Sequence, residues 1–383
     1  MQNSIIDDSE QLKELCEKIQ HSQVVAIDTE FLRDKTYYGK LCLIQLATED
    51  VITCVDPLNI SDMSPLLDYL YRTDVLKIMH SARQDLEMFY DITGKIPKPL
   101  YDTQIAATLV GFGDQTGYAK LVKSMLGVNL DKAHARTDWS QRPLDSSQME
   151  YALDDVRYLI PMYQQQLRML ESKGRGSWLD DDFNRLTDSA LYKPDPDELW
   201  KRVKGGRNLK GQQLAVLQRL AIWREEHARQ LDRPRRWLMS DDILVEMSKR
   251  QPQNADAVEK IRGCNSYLKK NSDNLVKLIR AARELPREDW PDDDRPESLS
   301  VEQEAMVDIL MGVIRVKALQ NDVTPALLTT RRDLERLVCG EKDMDLMHGW
   351  RYELVGKEII KFIQGGETIQ VRNNQIIIEP VQN

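Results

Sequence analysis

Residues 24–31 read VVAIDTEF, an apolar run that ends in two acids with one threonine between them. Val24 to Ile27 suit a buried strand. Side chains alternate along a strand, so Asp28 and Glu30 point to one face, roughly 6.5 Å apart along the chain. Two carboxylates this close at the end of a buried strand repel each other unless something positive lies between them. Whatever fold the chain adopts must bury Val24–Ile27 and bring a cation to their end.

The surrounding pattern indicates the layer that does so. Residues 9–20 read as an amphipathic helix with Leu12, Leu15, Cys16 and Ile19 on one face. Strand-like runs follow at 24–28, 41–47, 51–55 and 75–79, and helical spacing returns at 64–71 and 82–90. Residues 102–171 are mostly helical, with breaks at 111–117 and 143. Strands first, then alternation with helices, predict an α/β layer with a mixed sheet. Two segments rich in Gly, Pro and Asp, 172–197 and 286–299, read as linkers. Between and after them lie two helical blocks with weak self-similarity. Residues 238–244 (LMSDDIL) align with 328–334 (LTTRRDL), and each places a hydroxyl residue where an N-cap belongs. At the C-terminus, TIQVRNNQIII reads as two strands around an Asn-Asn turn.

Charge divides the chain unevenly. Residues 1–160 carry 16 Lys+Arg against 25 Asp+Glu, a net of −9, whereas residues 201–290 carry 21 against 12, a net of +9. An acidic front half suits metals, and the basic segment suits phosphate backbones. The five cysteines lack CxxC spacing and an even count, which excludes a disulfide framework or zinc site as the expectation. No membrane-length apolar run and no secretory N-terminus are seen, so a cytoplasmic protein is expected. No GxGxxG or Walker motif appears, which argues against a dinucleotide enzyme or a helicase motor; KGGRN (204–208) reads as a loop.

Further acids join the first pair. In HSARQDLEMF, Asp85 falls in the first turns of a helix, a position the helix dipole favours in any protein. In DSSQMEYALDDVRYL, Ser147 and Glu150 fit a capping box that starts a helix running through Leu159. Tyr151 and Asp155 then stand one turn apart on one face, with Asp154 as a competitor rotated by about 100°. No His or Cys cluster accompanies these acids, so the ligand set is all oxygen, suited to Mg²⁺, Mn²⁺ or Ca²⁺. Four carboxylates balance two divalent ions, an arrangement used for in-line phosphoryl displacement.

IDTEF (27–31), HSARQD (80–85) and YALDD (151–155) resemble the three exonuclease motifs of the DEDD superfamily, in its tyrosine-bearing branch. The helical blocks resemble the HRDC module, and one exonuclease domain followed by two such modules is the layout of the bacterial ribonuclease D family. The resemblance implies a ribonuclease H-like α/β exonuclease domain at 1–175, with a mixed sheet flanked by helices. A linker would follow at 176–208, then two small all-α HRDC domains at 209–289 and 295–372, with an extension at 373–383. It implies that Asp28, Glu30, Asp85 and Asp155 bind two divalent cations, Mg²⁺ or Mn²⁺, and that Tyr151 orients the attacking water. The implied reaction is 3′→5′ hydrolysis of RNA to nucleoside 5′-monophosphates, with tRNA precursors and other structured small RNAs as substrates. A DNA 3′→5′ exonuclease and an inert nucleic-acid-binding scaffold are the alternatives. Thr29 and Phe31 are candidate contacts to the terminal nucleotide, and Arg233, Arg235, Arg236, Lys269 and Lys270 candidate contacts to phosphates. Gln45, Asp102 and Trp139 are candidate wall or support residues, while His80 is left out of the metal set. No organic cofactor and no membrane partner are expected, and a monomer is the default.

Overall fold

The computed structural model describes residues 5–131, 137–291, 299–373 and 375–381. Six strands, β1 (Ile5–Ile6), β2 (Val24–Leu32), β3 (Lys40–Ala47), β4 (Ile52–Val55), β5 (Leu76–Met79) and β6 (Leu100–Asp102), form one sheet in the order β1-β4-β3-β2-β5-β6. β3 and β4 are antiparallel, joined by a tight turn in which Thr48 N–H donates to Val51 O at 2.8 Å. β2, β5 and β6 run parallel, with Val24 opposite Leu76 and Met79 opposite Asp102. Parallel neighbours need crossovers, and helices Ser64–Leu70 and Arg83–Thr93 supply them. The sheet is mixed and flanked by helices, as the sequence predicts. β2 lies inside it, and Val25, Ala26 and Ile27 are completely buried.

Helix Ser9–Ile19 forms where expected, capped by Asp8, and buries Leu12, Leu15 and Ile19. The helix bearing Tyr151 is capped two residues earlier than the expected box. Its N-cap is Asp145, whose carboxylate accepts from Ser147 and Gln148, while Gln148 reaches back to the Asp145 N–H. An aspartate two residues upstream of Ser147 is an equally good cap, and Gln148 stands at the required third position. The helix ends at Arg157 rather than Leu159, because Pro161 has no N–H to offer the carbonyl four residues back; a second helix, Leu159–Ser172, begins there.

The chain forms two compact units: Met1–Glu30 with Cys42–Asp188 and Pro296–Asn383, and Phe31–Leu41 with Ser189–Arg295. In the first unit, the stretch expected as a bare linker carries helix Asp180–Leu186. Its three leading acids, Asp180 to Asp182, sit in the first turn, where the dipole makes them helix-starting residues rather than breakers. Just before it, Trp178 stacks on Trp350 at 4.4 Å with planes 3° apart. Arg351 covers Trp350 and also bonds Asp182 at 3.1 Å. The C-terminal helices, led by Val301–Gln320, therefore share this unit's core. A hairpin of β7 (Glu367–Arg372) and β8 (Gln375–Pro380) follows, with Asn373 in the left-handed region at its turn.

The second unit is built around helix Gln212–Gln230, which buries Leu214, Leu217 and Leu220 against Met247, Leu268, Leu275 and Ile279 from the shorter helices. Ser240 caps helix Asp241–Arg250 and Thr330 caps helix Arg331–Val338, as the aligned hydroxyls predict. All five cysteines are free thiols.

One buried cation ties the entry to β5 to the segment before β6. Lys77 on β5 is fully buried, and its ammonium donates to the carbonyls of Arg72, Val75 and Lys98 at 2.8, 2.7 and 2.7 Å. Lys77→Met keeps the packing but strands three carbonyls. Urea denaturation is expected to show a loss of about 3 kcal/mol, and an unchanged midpoint would rule this bracing out.

Candidate active site

The alternation along β2 separates three polar residues. Asp28 and Glu30 share one face, and Thr29 between them points to the other. Among the described residues, one carboxylate oxygen from each of Asp28, Glu30 and Asp155 lies within 4.8 Å of the others. Asp155 comes from helix Ser146–Arg157, and Tyr151 precedes it by one turn. Asp154 is drawn away by Arg157, which also takes Glu150 at 2.7 Å. That pairing answers which of the two adjacent aspartates faces the cluster.

Asp85 enters from the first turn of helix Arg83–Thr93 and is buried. Thr29 is its partner: the threonine hydroxyl donates to Asp85 Oδ1 at 2.5 Å. The residue expected beside a nucleotide thus spends its hydroxyl on an acid of the cluster. The turn before Asp85 is held by Asp102, whose carboxylate accepts from Ser81 N–H at 3.1 Å and Ala82 N–H at 2.8 Å. Asp102 also caps its own helix, Thr103–Leu109. Ser81 itself adopts φ 59°, a left-handed conformation that the two bonds fix. His80 is tied up beneath, with Nδ1 2.9 Å from the Thr103 hydroxyl, in keeping with a structural role.

The loop ahead of Tyr151 is anchored by charge. Arg142 forms a bidentate pair with Asp56 at 2.6 and 2.8 Å and donates to the carbonyls of Trp139 and Cys42. Trp139 is buried beside Tyr151, with ring centroids 6.0 Å apart. Gln45 on β3 is buried with neither amide atom bonded to protein, and its cross-strand partner is Cys54.

Electrostatics reflect the crowding. Burial first, then Asp85, Asp155 and Glu30, push the Asp28 carboxyl well above the usual range. Burial with Asp155 and Asp85 lifts Glu30 to about 8. Burial lifts Asp85 to about 7, against the opposing pull of Thr29, and burial with Asp154 and Asp85 lifts Asp155 to about 7. Burial and the same acids also raise the Tyr151 hydroxyl, so it stays protonated at neutral pH. The charges bearing on Asp28 and Glu30 are all negative, and the donors are all hard oxygens. This set fits divalent cations of the Mg²⁺ type and little else.

The remaining candidates lie outside this cluster. Phe31 is half-buried and opens the second unit. In that unit Arg235 is committed to Glu225 at 3.4 Å, Arg236 reaches Asp241 at 3.5 Å and Lys269 reaches Glu259 at 3.7 Å. Arg233 and Lys270 are exposed. No helix among the described residues is long and apolar enough to cross a membrane.

Comparison with known proteins places this geometry. Residues 3–171 match the 3′–5′ exonuclease family and residues 213–279 the HRDC domain. Ribonuclease D of Sphingobium indicum is 36% identical over 379 residues, covering 97% of each chain. That of Gluconacetobacter diazotrophicus is 37% identical over 376 residues, covering 97% of this chain and 95% of its own. The crystal structure of Escherichia coli RNase D, described as an exoribonuclease involved in structured RNA processing, superposes with a TM-score of 0.85. It shares 29% identity, with 95% of this chain and 99% of that one covered. An exonuclease domain with a mixed, helix-flanked sheet, an HRDC domain and full-length relatives lead to one conclusion: the chain belongs to the ribonuclease D family and is a 3′→5′ exoribonuclease.

Proposed function

We propose that Asp28, Glu30, Asp85 and Asp155 hold two divalent cations, Mg²⁺ or Mn²⁺, around the scissile phosphate at an RNA 3′ end, as in the tyrosine branch of the DEDD exonucleases. The carrying observation is the convergence of Asp28, Glu30 and Asp155 from β2 and one helix, with burial raising all four acids, repulsion from Asp85 adding to it at the other three, and Thr29 holding Asp85. When bound, the cations lower the pKa of the attacking water and stabilise charge on the departing 3′ oxygen. Asp28, on which the other three acids bear, would be the principal residue holding the cations. Tyr151, kept protonated, orients the water by hydrogen bonding rather than removing its proton. Thr29 acts indirectly, by fixing the Asp85 carboxylate. The products are nucleoside 5′-monophosphates.

The substrates are the 3′ ends of tRNA precursors and other structured small RNAs, processed by a cytoplasmic monomer without an organic cofactor. The exonuclease domain spans 1–175, the linker 176–208, and two HRDC domains 209–289 and 295–372, with an extension at 373–383. The matching caps at Ser240 and Thr330 support the second HRDC assignment. Arg233, Arg235, Arg236, Lys269 and Lys270 are assigned to sequence-independent phosphate contact, sensitive to salt. Phe31 is assigned to the terminal base.

Nucleotide release from a 3′-labelled tRNA precursor tests the site directly. Asp28→Asn and Asp155→Asn are expected to lower kcat by about 10²–10³-fold or more, and Tyr151→Phe by about 10²-fold, with circular dichroism unaltered. Full rate in chelator-treated enzyme or in Asp28→Asn would refute the metal assignment.

Stability carries an independent signature. These acids titrate higher in the folded protein than the ordinary carboxyl values near 4, so between about pH 4 and 8 the folded state binds more protons than the unfolded one. Stability then falls as pH rises through that window. Metal-free protein is expected to lose melting temperature from pH 5 to pH 8. Millimolar Mn²⁺ is expected to flatten the slope by binding only the folded state. Parallel slopes with and without Mn²⁺ would contradict a metal-binding acid cluster.

A further inference from the structure

Residues Phe31–Leu41, the end of β2, the start of β3 and the connection between them, belong to the second compact unit. Their holding point is Tyr37. The Tyr37 hydroxyl donates to the buried carboxylate of Glu225 and accepts from Arg229 Nε at 3.0 Å. The guanidinium groups of Arg229 and Arg235 lie 5.7 and 5.6 Å from the ring centroid, within cation–π range. Asp232 Oδ1 accepts the backbone N–H groups of both Tyr37 and Tyr38 at 3.0 Å. Arg235 is therefore a bracing residue before it is anything else.

What this brace presents to solvent is aromatic. Tyr38, pinned through its backbone and edge-on to Tyr37 at 4.9 Å, remains 39% exposed. Trp237, two residues beyond Arg235, is 54% exposed. Arg233, four residues before it in the chain, is exposed, and the Arg236 side chain is 75% exposed. Arg236 meets Asp241 only at 3.5 Å, and that carboxylate is already bound by buried Arg224 at 2.7 Å. Large rings left in water on a rigid, basic surface are unusual, because their burial is strongly favourable.

We propose that Tyr38 and Trp237, with Arg233 and Arg236, form a platform for single-stranded RNA, on which bases stack while the guanidinium groups meet phosphates. The proposal rests on the exoribonuclease reading and deepens it by assigning a second RNA contact in addition to the carboxylate cluster. RNA is the occupant because residues 201–290 carry 21 basic against 12 acidic residues, and because ring faces accept every base alike. The pinned backbone lowers the ordering cost of binding, since Tyr38 is already fixed. An acidic protein would satisfy the arginines but not need the rings.

The test compares wild type with Tyr38→Ala and Trp237→Ala on an unstructured oligoadenylate and on a dinucleotide, in Mn²⁺. Both side chains are exposed, so melting temperature checks that folding is retained. The ratio of KM for the oligoadenylate to KM for the dinucleotide is expected to rise about tenfold in each variant, the scale of one lost stacking contact. An unchanged ratio overturns the platform. If wild type releases no nucleotide from either RNA, the exoribonuclease reading itself fails. Fluorescence anisotropy of labelled oligoadenylate then decides the platform alone: a tenfold weaker Kd in the variants supports it, and equal Kd values overturn it.

Discussion

Carboxylates held together in a half-buried place are the constraint on which the rest of the first unit depends: Asp28, Glu30 and Asp155 bring oxygens within 4.8 Å of one another, and buried Asp85 bears on all three. Left to themselves, Asp28, Glu30, Asp85 and Asp155 would separate into water, since each is raised by burial and by its neighbours. The framework around them opposes that separation. β2 is buried in the sheet between β3 and β5. Asp102 fixes the turn before Asp85, and Arg142 with Asp56 fixes the loop before Tyr151. Under the proposed assignment, divalent cations would relieve that repulsion, and what weakens the metal-free fold would become affinity for metal.

Parts of this were legible in the sequence because their signals are local. Period two along VVAIDTEF aims Asp28 and Glu30 at one spot, and an i, i+4 spacing puts Tyr151 and Asp155 on one face. The strands and most helices announce themselves by apolar runs and breakers. What stayed hidden depends on residues far apart in the chain. Asp102 serves Ser81 and Ala82 across about twenty positions, and Arg142 finds Asp56 across 86. The competition between Asp154 and Asp155 is settled by Arg157, whose reach depends on rotamer rather than spacing. The capping box slipped because Asp145 and Ser147 both satisfy the local rule, and only the backbone decides between them.

The same distinction explains why the segment 172–197, read as a linker, carries a helix, while most of the other, 286–299, lies outside the described residues. Gly, Pro and Asp interrupt helices in their interiors, but Asp at a helix start is favourable, and Asp180–Asp182 use that exception. Trp178 then gains a stacking partner in Trp350, more than 170 positions away, which no linker composition could foretell. Likewise, FLRDKTYYGK carries no periodic pattern, yet Tyr37 is gripped by Glu225, Arg229 and Asp232.

Charge segregation completes the physical logic. An acid cluster that attracts cations also repels an RNA backbone, and the net −9 of residues 1–160 extends that repulsion over the whole front of the chain. Cation binding neutralises the cluster locally, but it cannot draw a polyanion from a distance beyond the Debye length of about 8 Å at physiological salt. The +9 of residues 201–290 supplies attraction from another part of the same molecule. The segregation is one of degree, since residues 1–160 still carry 16 Lys+Arg. Arg157 is spent on Asp154 and Glu150, and Arg142 on Asp56. With these guanidinium groups committed to other acids, the charges bearing on Asp28 and Glu30 stay of one sign.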